Sequence, residues 1–195
     1  VKIESSSFKE WNRVHKEEMS QTISFWSEEI RDGQFTWNVT VANTSQGVCW
    51  VGLGPYEAEE QDIKAWSKRW VPKAIVIKNK LPNELVLNQL KEYFSGTRKE
   101  FDIPLDIMGT SFQTRVWNEL TKIPYGETRS YSDIAFQVEN PKGQRAVGLA
   151  NNKNPIGVIV PCHRVIGKKG GLVGYAGGIH LKERLLMLEQ QKNRN

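Results

Sequence analysis

Val158-Ile159-Val160-Pro161-Cys162-His163-Arg164-Val165 runs from an apolar triplet into a thiol beside an imidazole, and turn signals follow at Gly167 and Gly170-Gly171. The pattern predicts a buried strand that delivers Cys162 to the edge of a pocket. Sulfur attacks saturated carbon well, and its thiolate is the reactive form. Adjacent side chains on an extended strand point to opposite faces, so His163 can serve Cys162 only through a bend or a bridging water. A small, inert core cysteine is the ordinary alternative. The only other cysteine is Cys49, and the histidines are His15, His163 and His180. Those residues make neither a disulfide framework nor a metal-ligand spacing, so no metal and no cofactor are expected.

Charge gives the motif its setting. The chain carries a formal +5, unevenly spread. Residues 1–104 hold 14 Lys+Arg against 15 Asp+Glu, a net of −1, whereas residues 105–195 hold 13 against 7, a net of +6. No carboxylate lies between Glu139 and Glu183, while Lys142, Arg145, Lys153, Arg164, Lys168, Lys169 and Lys182 are basic. A one-signed field of this kind fits a polyanionic partner; a plain solvated face is the alternative. A positive field also favours thiolate at Cys162.

Upstream of the cysteine, Ser130 and Asp133 have capping-box spacing ahead of a short helix. Asn140-Pro141 reads as an N-cap followed by proline at the first helical position, opening a second helix over 142–152. Ala146, Val147 and Ala150 face inward on it, and Gln144, Arg145 and Lys153 stay outside. Two short helices with a tight connection, the second basic and rich in small residues, suit a groove-entering helix-turn-helix. An ordinary helical hairpin would look the same.

The first half reads as strands over 22–26, 34–42 and 47–53, with a hairpin turn at Asp32-Gly33. A helix follows over 56–70, with Ile63, Trp66 and Trp70 at helical spacing, then a strand over 74–78 and a helix over 82–94. Trp26, Trp37, Trp50, Trp66 and Trp70 fall on periodic positions, so core packing accounts for them better than base stacking. Residues 95–109, with Gly96 and Pro104, predict the connection between two domains, 1–104 and 105–195. Thr110 and Gln113 repeat the capping-box spacing at the head of a helix reaching Lys122. A glycine-rich return over 170–178 leads to a last helix, 179–190, with Leu181, Leu185 and Leu188 on one face and Glu189 turned in beside them. Residues 1–20 are charged throughout and lack the apolar stretch of a secretory signal, and no segment approaches the length of a bilayer span. Low cysteine use fits a reducing cytosol. A cytoplasmic protein is expected, or a nuclear one in a eukaryote.

In order along the chain stand Gly109-Thr110-x-Phe112-Gln113-x-x-Val116-Trp117, Ile123-Pro124-Tyr125-Gly126-Glu127, Arg145-Ala146-Val147-Gly148, Asn154-Pro155, Pro161-Cys162-His163-Arg164-Val165 and Gly174-Tyr175-Ala176-Gly177-Gly178. This set closely resembles the O6-alkylguanine-DNA alkyltransferases (methylated-DNA–protein-cysteine methyltransferases). It covers nearly all of residues 105–195 and is weaker over the first half. The resemblance implies an α/β (α+β) chain: an N-terminal ribonuclease-H-like three-layer α/β domain, then a mainly helical C-terminal domain with a winged helix-turn-helix-like DNA-binding element. It implies direct repair of double-stranded DNA carrying O6-alkylguanine, with O4-alkylthymine a further candidate, by a monomer needing no membrane or cofactor. The protein would enter the minor groove, swing the damaged base out of the stack and keep the alkyl group on Cys162 after a single turnover.

The same resemblance assigns roles. Cys162 is the acceptor nucleophile, His163 a water-mediated base, and Glu189 the group that orients and charge-stabilises it. Asn154 braces the turn after the cysteine. Tyr131 donates to the ring nitrogen N3 of the flipped guanine, backbone groups of Cys162 and Val165 accept from its exocyclic amine, the Ala176 amide donates to O6, and Tyr175 lines the pocket. Arg145 fills the gap left in the helix, and Gln144, Ser132, Asn140, Gln113 and Lys168 approach DNA. Ala176 replaces a serine of some relatives, and Gly157 replaces a proline, which predicts a different pocket wall and tolerance for bulky alkyl groups. The cysteines that hold zinc in some members are absent. A lesion sensor that removes nothing, or a helix-turn-helix regulator, remains the alternative function.

Overall fold

The computed structural model describes residues 22–33 and 35–192; the expected strand start at Gln34 and the expectation for residues 1–20 lie outside them. In β2 (Thr36–Asn43), Trp37, Val39 and Val41 are buried at every second position, the period of a strand with one face on a core. β1 (Thr22–Arg31) runs well past the apolar stretch predicted for it, because its polar end pairs with β2 as far as Arg31↔Thr36. β3 (Val48–Gly52) pairs antiparallel with β2, and β4 (Ile75–Lys78) parallel with β1, giving the order β3-β2-β1-β4. On one face, Ile63 of α1 (Tyr56–Trp70) packs with Ile23, Phe25, Ala42 and Cys49. On the other, Val86, Leu87 and Leu90 of α2 (Glu84–Ser95) join the cluster of Trp37, Val39 and Val41. Among the described tryptophans of this half Trp37 is the one that is fully core, stacked on Phe94 at 4.5 Å between ring centroids. Trp26, Trp50, Trp66 and Trp70 are only half-buried.

The connection over 95–109 is tied down rather than free. Val48 N–H donates to Pro104 O at 2.9 Å and Asp106 N–H to Val48 O at 2.8 Å. Gly47, at φ 149°, lets this happen: a Cβ there would stand 2.4 Å from the Pro104 carbonyl oxygen. The Gln89 amide clamps Asp102 at both its carbonyl and its N–H.

In the second half, both capping boxes form, Thr110–Gln113 at α3 (Ser111–Leu120) and Ser130–Asp133 at α4 (Tyr131–Gln137). The next helix departs from expectation. The Asn140 carbonyl takes the Gly143 N–H at 2.8 Å, closing a turn around Pro141, so α5 (Gln144–Asn152) starts later and without a side-chain cap. Trp117 of α3 pins α5 through a buried Nε1–H to Ala150 O bond of 2.9 Å. β5 (Arg129–Ser130) pairs in parallel with β6 (Val165–Ile166), beside the loop over 167–178 that leads to α6 (Ile179–Lys192). One buried cluster runs from β2 and α2 through α3 to α6.

The halves are also stitched by backbone: Val51 N–H donates to Pro155 O at 2.9 Å and Gly157 N–H to Val51 O at 2.8 Å. Gly157 is therefore more than a pocket wall. Gly157→Pro removes the donor of the second bond, and its Cβ would meet Val51 O at 2.9 Å. We expect a loss of about 1–3 kcal/mol in chemical denaturation; a midpoint at or above wild type would show the stitch to be dispensable.

Candidate active site

Cys162 does not sit at the end of a strand. Val158 is buried at φ 68°, a conformation rare for a β-branched residue. A γ-turn closes around it, with Ile159 N–H donating to Gly157 O at 2.8 Å. Pro161 (φ −82°, ψ 63°) centres a second, from Cys162 N–H to Val160 O at 2.8 Å. Positive φ and a proline without an N–H preclude a paired strand here. Strain of this kind costs about 1–3 kcal/mol. Asn154 holds it: Nδ2 donates to Val160 O at 2.8 Å and Oδ1 accepts from Ile156 N–H at 3.0 Å. Asn154 thus braces the turn before the cysteine, not the one after it. Cys162–Arg164 then form one turn of 3-10 helix, which supplies the bend that His163 requires.

Behind the cysteine, Glu189 is fully buried and saturated. Its carboxylate accepts from His163 Nε2 at 2.9 Å, the Tyr93 hydroxyl at 2.5 Å and Gly126 N–H at 3.0 Å. Arg164 adds Nε at 3.0 and 3.1 Å and Nη2 at 2.9 Å, while its Nη1 donates to Ile123 O at 2.6 Å. Burial opposes the charge on Glu189, but His163 and Arg164 outweigh it and hold its pKa down to about 2. Burial also lowers the pKa of His163, against the pull of Glu189. The imidazole is then neutral near pH 7, and Arg164 is the standing cationic partner of Glu189. A carboxylate only accepts, so Nε2 keeps the ring hydrogen and Nδ1 carries the free lone pair. Nδ1 is buried, with no hydrogen-bond partner among the described residues.

Burial raises the pKa of Cys162, and Asn154, Lys182 and neighbouring N–H groups bring it only part of the way back. The expectation that a positive field favours thiolate is thereby corrected: desolvation outweighs the field. The basic face is also narrower than composition predicts. Arg164 is buried on Glu189, and Lys182 is buried with Nζ donating to Val165 O at 2.5 Å and Val173 O at 3.2 Å.

Cys162 lines a cleft of about 990 Å³ shared by both halves, with Gly157, Tyr175 and Ala176 contributed by the second half and Trp50, Glu59 and Trp66 by the first. Tyr131 donates its hydroxyl to Val173 O at 2.8 Å, so its hydrogen is engaged by the 167–178 loop. The Val165 carbonyl already accepts from Lys182, and the Cys162 carbonyl from two donors, Asn151 Nδ2 at 3.2 Å and the Val165 N–H. Of the expected DNA contacts, Arg145, Gln144 and Lys168 are exposed and Ser132 and Asn140 half-buried. Gln113 is spent on its capping box, with Oε1 accepting from Thr110 N–H at 2.9 Å, and borders the cleft.

Asn151, Tyr93, Arg164 and Lys182 are the site residues that sequence reasoning missed. For Lys182 a signal existed: it lies seven residues before Glu189, on the stripe that Leu185 marks as buried. For Tyr93, 96 residues from Glu189 in sequence, none did.

Family profiles match the chain twice: the ribonuclease-like domain of 6-O-methylguanine DNA methyltransferase over residues 34–107, and its DNA binding domain over residues 111–191. An inducible methylated-DNA–protein-cysteine methyltransferase of Bacillus subtilis is 42% identical over 155 residues, covering 80% of this chain and 86% of its own. The chain belongs to the methylated-DNA–protein-cysteine methyltransferase family. A methyltransferase of the family from Methanosarcina mazei is 55% identical over 122 residues, 58% of this chain and 77% of its own. The crystal structure of Mycobacterium tuberculosis O6-methylguanine methyltransferase superposes with a TM-score of 0.70 at 39% identity, over 87% of this chain and 94% of that one. M. tuberculosis OGT in complex with DNA matches with the same score over 88% and 94%. The α/β architecture expected from the family resemblance is the one observed. No helix among the described residues is long and apolar enough to cross a membrane.

Proposed function

We propose that this chain repairs DNA by moving the alkyl group from O6 of a damaged guanine onto Cys162, once per molecule. The bare Nδ1 of His163, next in sequence to a protonated Cys162 and backed by Glu189 and Arg164, carries this reading. His163 Nδ1 takes the thiol proton through one water, and the imidazolium so formed faces the Glu189 carboxylate. The sulfur attacks the alkyl carbon in line, the carbon–O6 bond breaks, and a thioether forms. Tyr131, once released from Val173, donates a proton to guanine N3 as charge develops on the leaving base. Tyr131 is reprotonated from His163 or solvent, so the thiol proton ends, in net, on guanine.

The Val165 carbonyl uses its second lone pair for the exocyclic amine and the Cys162 carbonyl takes it in exchange for the Asn151 amide, the Ala176 amide meets O6, and Tyr175 walls the pocket. Arg145, at the exposed start of α5, fills the space in the stack, while Gln144, Ser132, Asn140, Gln113 and Lys168 face the DNA backbone. Residues 1–104 and 105–195 act as the two domains of a monomer. It works in the reducing cytoplasm, where Cys162 stays a free thiol. A thioether has no leaving route at neutral pH, so nothing restores the acceptor.

Intact-mass measurement after mixing with a duplex containing one O6-methylguanine tests this. The protein gains one methyl group, excess duplex adds no second, and Cys162→Ala gains none. A regulator or sensor gains nothing, and repeated turnover or methyl recovered in solvent rules out the acceptor role.

A further inference from the structure

The cleft is larger than a guanine with a small alkyl group needs. Its volume of about 990 Å³ stands at the top of the range of about 300–1,000 Å³ that holds whole drug-sized ligands. Beyond Cys162 it passes Gly157 and Tyr175 and continues along the first half of the chain. Tyr175 lies near enough to both Cys162 and Glu59 for a charge on either to act on its hydroxyl, so it stands between the two parts of the cleft. At the far end, Trp50 and Trp66 stand edge to face with ring centroids 6.2 Å apart.

Glu59 is the polar group set into this aromatic wall. Two glycines make room for it: a Cβ on Gly52 or Gly54 would collide with the Glu59 carboxylate. Oε2 accepts from Trp50 Nε1 at 2.8 Å. Among the described residues no cation pairs with Glu59 and no hydrogen bond reaches its Oε1. Burial raises the pKa of this carboxyl against the pull of Trp50, and the charge of Asp62, which also lines the cleft, adds to the rise, so this end of the cleft is anionic without a counter-ion. Arg69 also borders the cleft but lies over the Trp70 ring, 5.0 Å from its centroid, and Lys153 is exposed. Aromatic faces around an unpaired carboxylate make a receptor for a cation attached to an apolar body.

We propose that this end of the cleft is a subsite for the distal part of the O6 substituent, and that Glu59 makes it favour arylmethyl groups bearing a protonated amine. The inference rests on alkyl transfer to Cys162. It assigns the first half of the chain a part in substrate choice.

The test uses three free bases that differ only at the far end of the benzyl group: O6-(4-aminomethylbenzyl)guanine, its neutral isostere O6-(4-ethylbenzyl)guanine, and O6-(4-carboxybenzyl)guanine. Thioether formation at Cys162 is followed by intact mass. The wild type reacts in the order amine, ethyl, carboxylate, with the amine ahead of ethyl by about tenfold, the size of one charge-assisted hydrogen bond partly exposed to water. In Glu59→Gln the amine-to-ethyl ratio falls to near one; as a ratio within one protein, it is insensitive to a general loss of activity. Should that variant fail to fold, the three-base order in the wild type decides alone. An amine-to-ethyl ratio near one in wild type, or a ratio unchanged in Glu59→Gln, overturns the proposal. So does a carboxylate faster than ethyl, which would assign the cleft to Arg69 and Lys153. Transfer from O6-methylguanine duplex without amine preference defeats the subsite alone, whereas no thioether from any substrate defeats the repair reading as well.

Discussion

Replacing Glu189 with alanine lowers the melting temperature by about 6–20 °C and ends alkyl transfer. The thermal figure follows from the cost of about 3–5 kcal/mol for removing one partner of a buried ion pair, at about 2–4 °C per kcal/mol in a chain of this size. Arg164 would remain buried, with Ile123 O as its one other acceptor among the described residues, and Tyr93 and Gly126 would each lose the group they donate to. Transfer fails for a separate reason: nothing would then hold the hydrogen on His163 Nε2 and leave Nδ1 free for the thiol. Glu189→Gln, which keeps the shape, should retain more stability than alanine and still lose transfer. Differential scanning calorimetry with single-turnover mass kinetics separates the two effects, and a Glu189→Ala protein melting like wild type would remove the ion cluster from the argument.

The same residue sets an acid limit. Its folded pKa of about 2 lies below the ordinary 4.5. Its contribution is therefore fully present above pH 4.5 and is lost as pH falls toward 2. Over that window the wild type loses stability more steeply than Glu189→Gln.

Alkylation itself destabilises the protein. Cys162 is 5% exposed, at the end of two γ-turns, and its sulfur is within hydrogen-bonding reach of Asn154. Methylation brings an added carbon into that contact, so the Asn154 brace must yield. Overpacking of this order costs about 1–3 kcal/mol, or about 2–12 °C. Melting curves before and after reaction with O6-methylguanine duplex, after removal of DNA, measure it, with Cys162→Ala treated identically as the control. An unchanged or raised melting temperature in the methylated protein would contradict a tight acceptor turn.

Much of the local structure was legible because it rests on contacts between near neighbours. The capping boxes at Thr110 and Ser130 are four-residue devices, and both form. The stripe of Leu181, Leu185, Leu188 and Glu189 is a matter of helical period. The approach to Cys162 misread for the opposite reason: Val158-Ile159-Val160 has strand composition, but Asn154 bends it into γ-turns that no propensity foresees. The start of α5 shifted because the Asn140 carbonyl closes a turn onto Gly143 N–H, so residues 140–143 form a turn ahead of the helix.

By itself the sequence determined the order of elements and a net positive second half, and it singled out Cys162 and His163 as the proposed nucleophile and base, since these depend on residue type and on spacings of a few positions. Tertiary structure decided which charges face solvent, how the thiol ionises, and that Trp50, Glu59 and Trp66 share a cleft with a cysteine some hundred residues away. Burial is the physical reason. Whether Arg164 meets a phosphate or Glu189, and whether desolvation or a positive field governs Cys162, depends on what the folded chain excludes from water.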